Sequence, residues 1–121
     1  MQTSYFGRMQ SEQFRHLALQ GVQISRVCKF WHGRTYPPLF PTWKMIKMND
    51  EQEYRKAYRE QILDKLDAQQ VWDELGEDAV LLCFEKWDDI ESGQTFCHRR
   101  IVAEWLEEKL GVTVPEAGQG H

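Results

Sequence analysis

The chain has 121 residues, 41% hydrophobic with five Trp, so it is sized for one domain with its own core, and disorder is excluded as its default state. No apolar run approaches the roughly 20 residues that span a bilayer, and the N-terminus carries no signal-peptide pattern, so no membrane partner and a cytoplasmic location are expected. The net charge of −4 divides unevenly: residues 1–48 hold seven Lys/Arg against one acid, and the remainder eight against eighteen, which favours an anionic ligand at one end of the fold and makes nucleic acid the weaker expectation.

Thr3-Ser4-Tyr5-Phe6 predicts a short strand ending at Gly7. Ser11 is placed to cap a helix reaching Gln20, with Phe14, Leu17 and Ala18 inward and Gly21 closing it. Val22, Ile24 and Val27 suggest a second strand, interrupted near Ser25-Arg26. Residues 31–41 contain three prolines among aromatic side chains and read as a loop folded over something. Thr42 then caps a short helical turn running to Met48.

Asp50 opens the longest predicted helix, to about Leu66, with Tyr54, Ala57, Tyr58, Ile62 and Leu66 at helical spacing. Asp67 and Gln70 have capping-box spacing for a helix over 68–75, closed by Gly76. An apolar strand follows over 79–84, then a loop over 87–95. The last helix covers 97–110, with Ile101, Val102, Trp105 and Leu106 as its core face and Gly111 as its stop. Val112-Thr113-Val114 suggests an edge strand, and residues 116–121 a disordered tail beyond a single domain over 1–115.

Alternating strands and helices predict a small three-layer α/β domain, Rossmann-like or flavodoxin-like, with a short, mostly parallel sheet flanked by helices. Ligands of such sheets sit outside the carboxyl ends of the strands. Those ends are Gly7-Arg8, Ser25-Arg26 and Glu85-Lys86, with Cys97-His98-Arg99-Arg100 arriving on the last helix.

At that corner Cys97 would occupy a first helical turn, where free amides and the dipole favour a thiolate; His98 and Arg99 would strengthen the effect. The alternative is a small buried residue at a tight junction. Arg99 follows Cys97 by only two residues, a poor match to a phosphatase-type cysteine loop. Glu85 ends a core strand. It reads either as a general base or hydrogen-bond acceptor, or as the partner of Arg26 or Arg99 in a salt bridge. Arg8, Arg26, Arg99 and Arg100 are candidate anion ligands, Arg being suited to bidentate contacts, and Tyr36 belongs to an aromatic wall with Tyr5, Trp31, Phe40 and Trp43. Cys83 lies mid-strand and is expected in the core. Three cysteines without zinc-ribbon or redox-pair spacing predict reduced thiols rather than a disulfide framework. No pre-organised metal site is expected, and the residues specify no cofactor.

Several segments together resemble a family: Thr3–Phe6, Ile24-Ser25-Arg26, residues 36–43, Ile62-Leu63-Asp64-Lys65-Leu66-Asp67, Leu81-Leu82-Cys83-Phe84-Glu85-Lys86, and Phe96-Cys97-His98-Arg99-Arg100 running into Ala103-Glu104-Trp105-Leu106. Over roughly residues 3–110 the chain is similar to the small bacterial proteins catalogued as domain of unknown function 488. The resemblance implies a compact α/β fold and no assigned reaction. Two departures lie at the presumed pocket: a longer loop over 87–95, and Lys29-Phe30-Trp31 in place of a proline-rich stretch.

These readings lead to a protein that binds an anionic, phosphate-bearing, nucleotide-like small molecule at the strand ends. If it is an enzyme, hydrolase or transferase chemistry would use Glu85, Cys97 and His98. The alternative is a non-catalytic interaction or regulatory module whose Glu/Cys/His/Arg cluster is structural.

Overall fold

A computed structural model describes residues 1–26 and 28–118. Four strands, β1 (Gln2–Tyr5), β2 (Gly21–Gln23), β3 (Arg34–Thr35) and β4 (Val80–Cys83), form one sheet in the order β1-β4-β2-β3 with every pair parallel. β4 is central in register, Leu81 opposite Thr3 on one side and Val22 on the other. All four of its residues are buried, as a continuous apolar run between two covered faces should be.

Side chains alternate across the sheet and divide the core in two. Leu81 and Val22 face a large cluster with Tyr58, Leu63, Val71, Leu75, Ile101, Trp105 and Leu106, supplied by α3 (Glu51–Gln61), α4 (Ala68–Leu75) and α6 (His98–Leu110). Val80 and Leu82 face a smaller cluster with Phe6, Met9 and Cys28, covered by α1 (Phe6–Met9) and a 3-10 segment, Arg15–Gln20. This is the expected small three-layer α/β domain, with one thick helical layer and one thin one.

Local chemistry fixes the helix ends. Asp50 Oδ1 accepts from the amides of Gln52 (2.9 Å) and Glu53 (3.4 Å), and Asp67 Oδ1 from those of Gln69 (2.9 Å) and Gln70 (3.2 Å). Thr42 Oγ1 accepts from Met45 at the start of α2 (Trp43–Ile46). Gly76 (φ 91°) and Gly111 (φ 68°) end α4 and α6 in conformations that a side chain disfavours.

Several expectations are corrected. Ser11 does not cap a helix: its hydroxyl donates to Arg8 O (2.7 Å), and the segment after it winds only as a 3-10 turn, leaving Leu19 94% exposed. The proline-rich loop holds β3 and a 3-10 turn, Pro37–Leu39, because the fixed φ of proline suits the opening of a helical turn. The helix expected to run to Leu66 stops at Gln61, and its continuation is a separate 3-10 turn, Leu63–Lys65. Residues 87–91 form α5 (Trp87–Glu91) within the predicted loop. Residues 112–114 are not a strand. The chain instead touches β1 at one parallel bridge, Thr3 to Glu116, with Thr3 N–H donating to Pro115 O (2.9 Å) and Ala117 N–H to Thr3 O (2.8 Å). Glu116 and Ala117 are therefore buried rather than part of a disordered tail. Val27, expected in the second strand, and residues 119–121 of that tail lie outside the described residues.

The topology positions a crevice. From β2 the chain runs to β3 on one side of the sheet; from β4 it runs through α6 to the bridge beyond β1 on the other. Adjacent strands whose connections leave in opposite directions open a cleft at their carboxyl ends. Here that cleft lies between Gln23 and Cys83.

Candidate functional site

A cavity of about 570 Å³ occupies this position. Ser25, Arg26 and Glu85 bring polar groups from the strand ends, Trp43 and Tyr54 form aromatic walls from α2 and α3, and Phe96 and His98 close it from the α6 side. The fold thus gathers Arg26, Glu85 and His98 from three distant stretches of sequence, as the strand-end argument anticipates.

Glu85 is half-buried, and its Oε2 is enclosed without a hydrogen-bond partner. Burial raises its pKa, opposed by main-chain hydrogen bonds and by the charge of Arg99. Neither expected ion pair forms: among the described residues no Arg side chain bonds this carboxylate, and Arg99 takes the main-chain carbonyl of Glu85 instead (2.8 Å). Ser25 Oγ, on the same wall, is also buried without a partner. Tyr54 is raised by burial and then by the nearby Glu85 charge. Arg26 lies at the rim, its Nε donating to Pro41 O (2.7 Å) and its guanidinium 5.1 Å from the Trp43 ring centre.

His98 is buried, with Nε2 2.8 Å from Ile24 O. A carbonyl only accepts, so Nε2 carries the proton and Nδ1, 4.0 Å from Cys97 Sγ, keeps its lone pair. Burial, with a smaller effect of the Arg99 charge, pushes the pKa down to about 4, so the ring is neutral near pH 7.

Cys83 and Cys97 form a disulfide, which corrects the expectation of free thiols; Cys28 alone is unbridged. Fourteen residues apart, they have no recognised pair spacing, and only the tertiary fold brings the end of β4 to the start of α6. Their sulfurs and a His98 ring nitrogen lie within 4.8 Å of one another. Sulfurs bonded to each other offer no thiolate, and the Arg99 guanidinium, 3.0 Å from Cys83 Sγ, opposes a cation.

The remaining predicted ligands are engaged elsewhere. Arg99 is fully buried and forms a two-pronged pair with Glu116, Nε to Oε1 (3.0 Å) and Nη2 to Oε2 (2.9 Å). Arg100 Nη1 donates to Thr3 Oγ1 (2.8 Å) and Val114 O (2.9 Å), and burial lowers its pKa. Arg8 lies between the Tyr5 and Phe14 rings, donates to Ala117 O (2.9 Å), and borders a second, shallower cavity at the end of β1. Tyr36 donates to Glu74, away from the main cavity, and its pKa is raised by burial and by that carboxylate. Glu116 is the residue that sequence reasoning missed. The β-branched run at 112–114, which can extend a sheet edge, was the available signal that the chain beyond it stays with the fold.

Comparison with known proteins returns no match: no family model, no curated protein and no solved structure is similar to this chain.

Proposed function

We propose that the cavity between β2 and β4 binds an anionic, phosphate-bearing small molecule of nucleotide-like size. The observation that carries this reading is a pair of buried polar atoms without partners, Glu85 Oε2 and Ser25 Oγ, on residues that line one cavity at the topological switch point. Buried polar atoms without partners are costly, and a ligand that satisfies both would recover that cost. Arg26 takes the anion, since it alone of the four predicted arginines lines this cavity. Trp43 and Tyr54 offer faces to a planar group. Glu85, its pKa raised, is the acid/base in any hydrolase or transferase step. Kinship with the domain of unknown function 488 proteins belongs to the same proposal and adds no reaction to it.

The test is thermal stability against nucleotides, sugar phosphates and inorganic phosphate, with Arg26→Ala as control. Binding at a hundred times Kd adds about 2.7 kcal/mol, a rise of several degrees in a domain of this size. A rise with one phosphate class that is lost in Arg26→Ala supports the reading; no rise with any of them overturns it.

One observation favours a second reading, a protein-contact surface: Trp43 (58% exposed), Ile46 (48%) and Phe84 (50%) all border the cavity. Substitution of Ile46 and Phe84 by Ser would then abolish a partner's binding and leave any phosphate-dependent shift unchanged.

A further inference from the structure

We propose that the Cys83–Cys97 disulfide is a thiol–disulfide exchange site that oxidises small dithiols entering by the cavity. Three observations converge on it. The bond joins the end of a buried strand to the first residue before a 13-residue helix, so each sulfur has a different neighbourhood. Both cysteines are buried, Cys83 1% and Cys97 4% exposed, and of the two only Cys83 lines the cavity, so a reagent that enters the cavity meets Cys83 first. Arg99 attends both sulfurs, with its main-chain N–H 3.5 Å from Cys97 Sγ and its guanidinium Nη1 3.0 Å from Cys83 Sγ.

That last arrangement is the chemical argument. Exchange is faster when the departing sulfur is a better thiolate, and a couple whose reduced form is stabilised is the more oxidising. An incoming thiolate attacks Cys83 Sγ, forming a mixed disulfide and breaking the bond to Cys97. Cys97 leaves with the bonding electron pair as a thiolate held by the Arg99 amide at the N-terminus of α6. The second thiolate of the same molecule then attacks its own bridged sulfur. It closes a cyclic disulfide and expels the Cys83 thiolate beside the Arg99 guanidinium. The dithiol loses two electrons and two protons; the protein disulfide gains the two electrons, and its sulfurs take up protons from solvent. A small disulfide drives the same steps in reverse.

The Arg99–Glu116 pair keeps the guanidinium in place, since Glu116 occupies Nε and Nη2 and leaves Nη1 for Cys83 and the Glu85 carbonyl. His98 Nδ1, its lone pair facing Cys97, gives the reduced thiol a hydrogen-bond acceptor. The site shares a wall with the proposed phosphate-ligand cavity, but its chemistry does not depend on that ligand.

The experiment treats the folded protein with increasing reduced dithiothreitol, quenches samples into denaturant with an alkylating reagent, and counts labelled cysteines by mass spectrometry. Before reduction Cys28 alone should label. Cys83 and Cys97 should then appear together, at a rate proportional to dithiothreitol. A rate independent of dithiothreitol would mean that only unfolding exposes the bond, and would overturn the proposal. So would labelling of all three cysteines before reduction in protein already exposed to oxidised glutathione. In a second arm, Cys97→Ser and Cys83→Ser are each exposed to oxidised glutathione. The adduct should form at Cys83 in the first and be lost in the second; an adduct at Cys97 in Cys83→Ser, without one in Cys97→Ser, would overturn the assigned order of attack. Should either variant fail to fold, the wild-type kinetics alone still decide between exchange and a buried structural bond.

Discussion

His98 and Glu85 border the same cavity, and burial acts on them in opposite senses on the pH axis. His98 has a folded pKa of about 4 against an ordinary value of 6.5, so between these values the unfolded chain binds more protons than the folded one. Stability therefore rises with pH through that window and falls as pH is lowered through it, by about 3 kcal/mol in total at 1.36 kcal/mol per unit. Urea denaturation between pH 4 and 7 should show this loss, and His98→Gln, which keeps a donor for Ile24 O, should remove it. For Glu85 the folded pKa is raised, so the folded state holds the extra proton. Its contribution is complete below 4.5 and is lost as pH rises through the folded value. Glu85→Gln should flatten that decline when stability is followed by the same titration. The role of Glu85 as a strand-end carboxyl was readable in sequence because the apolar run before it is unmistakable. Its lack of an arginine partner was not, since Arg26 and Arg99 looked equally placed to meet it.

Helix ends were the most legible elements. Thr42, Asp50, Asp67, Gly76 and Gly111 act on amides and carbonyls within a few residues of themselves, so local sequence suffices to place them. Long-range pairing was opaque. Arg34-Thr35 becomes a strand because β2 is there to receive it, and nothing in the dipeptide announces that. The segment after α6 is the clearest case: its β-branched run suggested an edge strand, yet its main contribution is one carboxylate. Glu116→Ala leaves the Arg99 guanidinium buried and uncompensated, and removal of one member of such a pair costs roughly 3–5 kcal/mol. A chain ending at Pro115 should lose as much by chemical denaturation. Arg55→Ala, which breaks the exposed pairs to Glu51 and Glu104, should cost less than about 1 kcal/mol in the same assay.

Across the whole molecule, the chemistry concentrates where β2, β4 and α6 meet, and the disulfide ties the end of β4 to the start of α6. It closes a loop of 14-residue separation, for which the chain-entropy argument gives about 3 kcal/mol of stabilisation. Stabilisation of the two thiolates by Arg99 opposes that gain in the reduced protein, so reduced and oxidised protein compared by thermal melting should differ by less than this figure implies, and a full difference of several degrees would count against an oxidising bond. The charge asymmetry of the sequence is only partly reflected in this arrangement: Arg26, from the basic first part, reaches the cavity, whereas Arg8 borders the second cavity at the carboxyl end of β1. Fold class was legible because alternating apolar segments constrain a whole architecture. The composition of the site was not, because it depends on which of several arginines the core recruits as ballast.

The single bridge between Thr3 and Glu116 also bears on solubility. A parallel sheet ends in rows of unsatisfied amides and carbonyls, and an open edge is a template for another chain. On one side the sheet ends in β3, only two residues long and exposed, which offers little to pair with. On the other it ends in β1, whose Thr3 amide and carbonyl are both claimed by the returning chain, at Pro115 and Ala117. Loss of that contact would uncover the longer edge beside the apolar interior. Self-association, visible as light scattering that grows with protein concentration, should then accompany the loss of stability in the shortened chain.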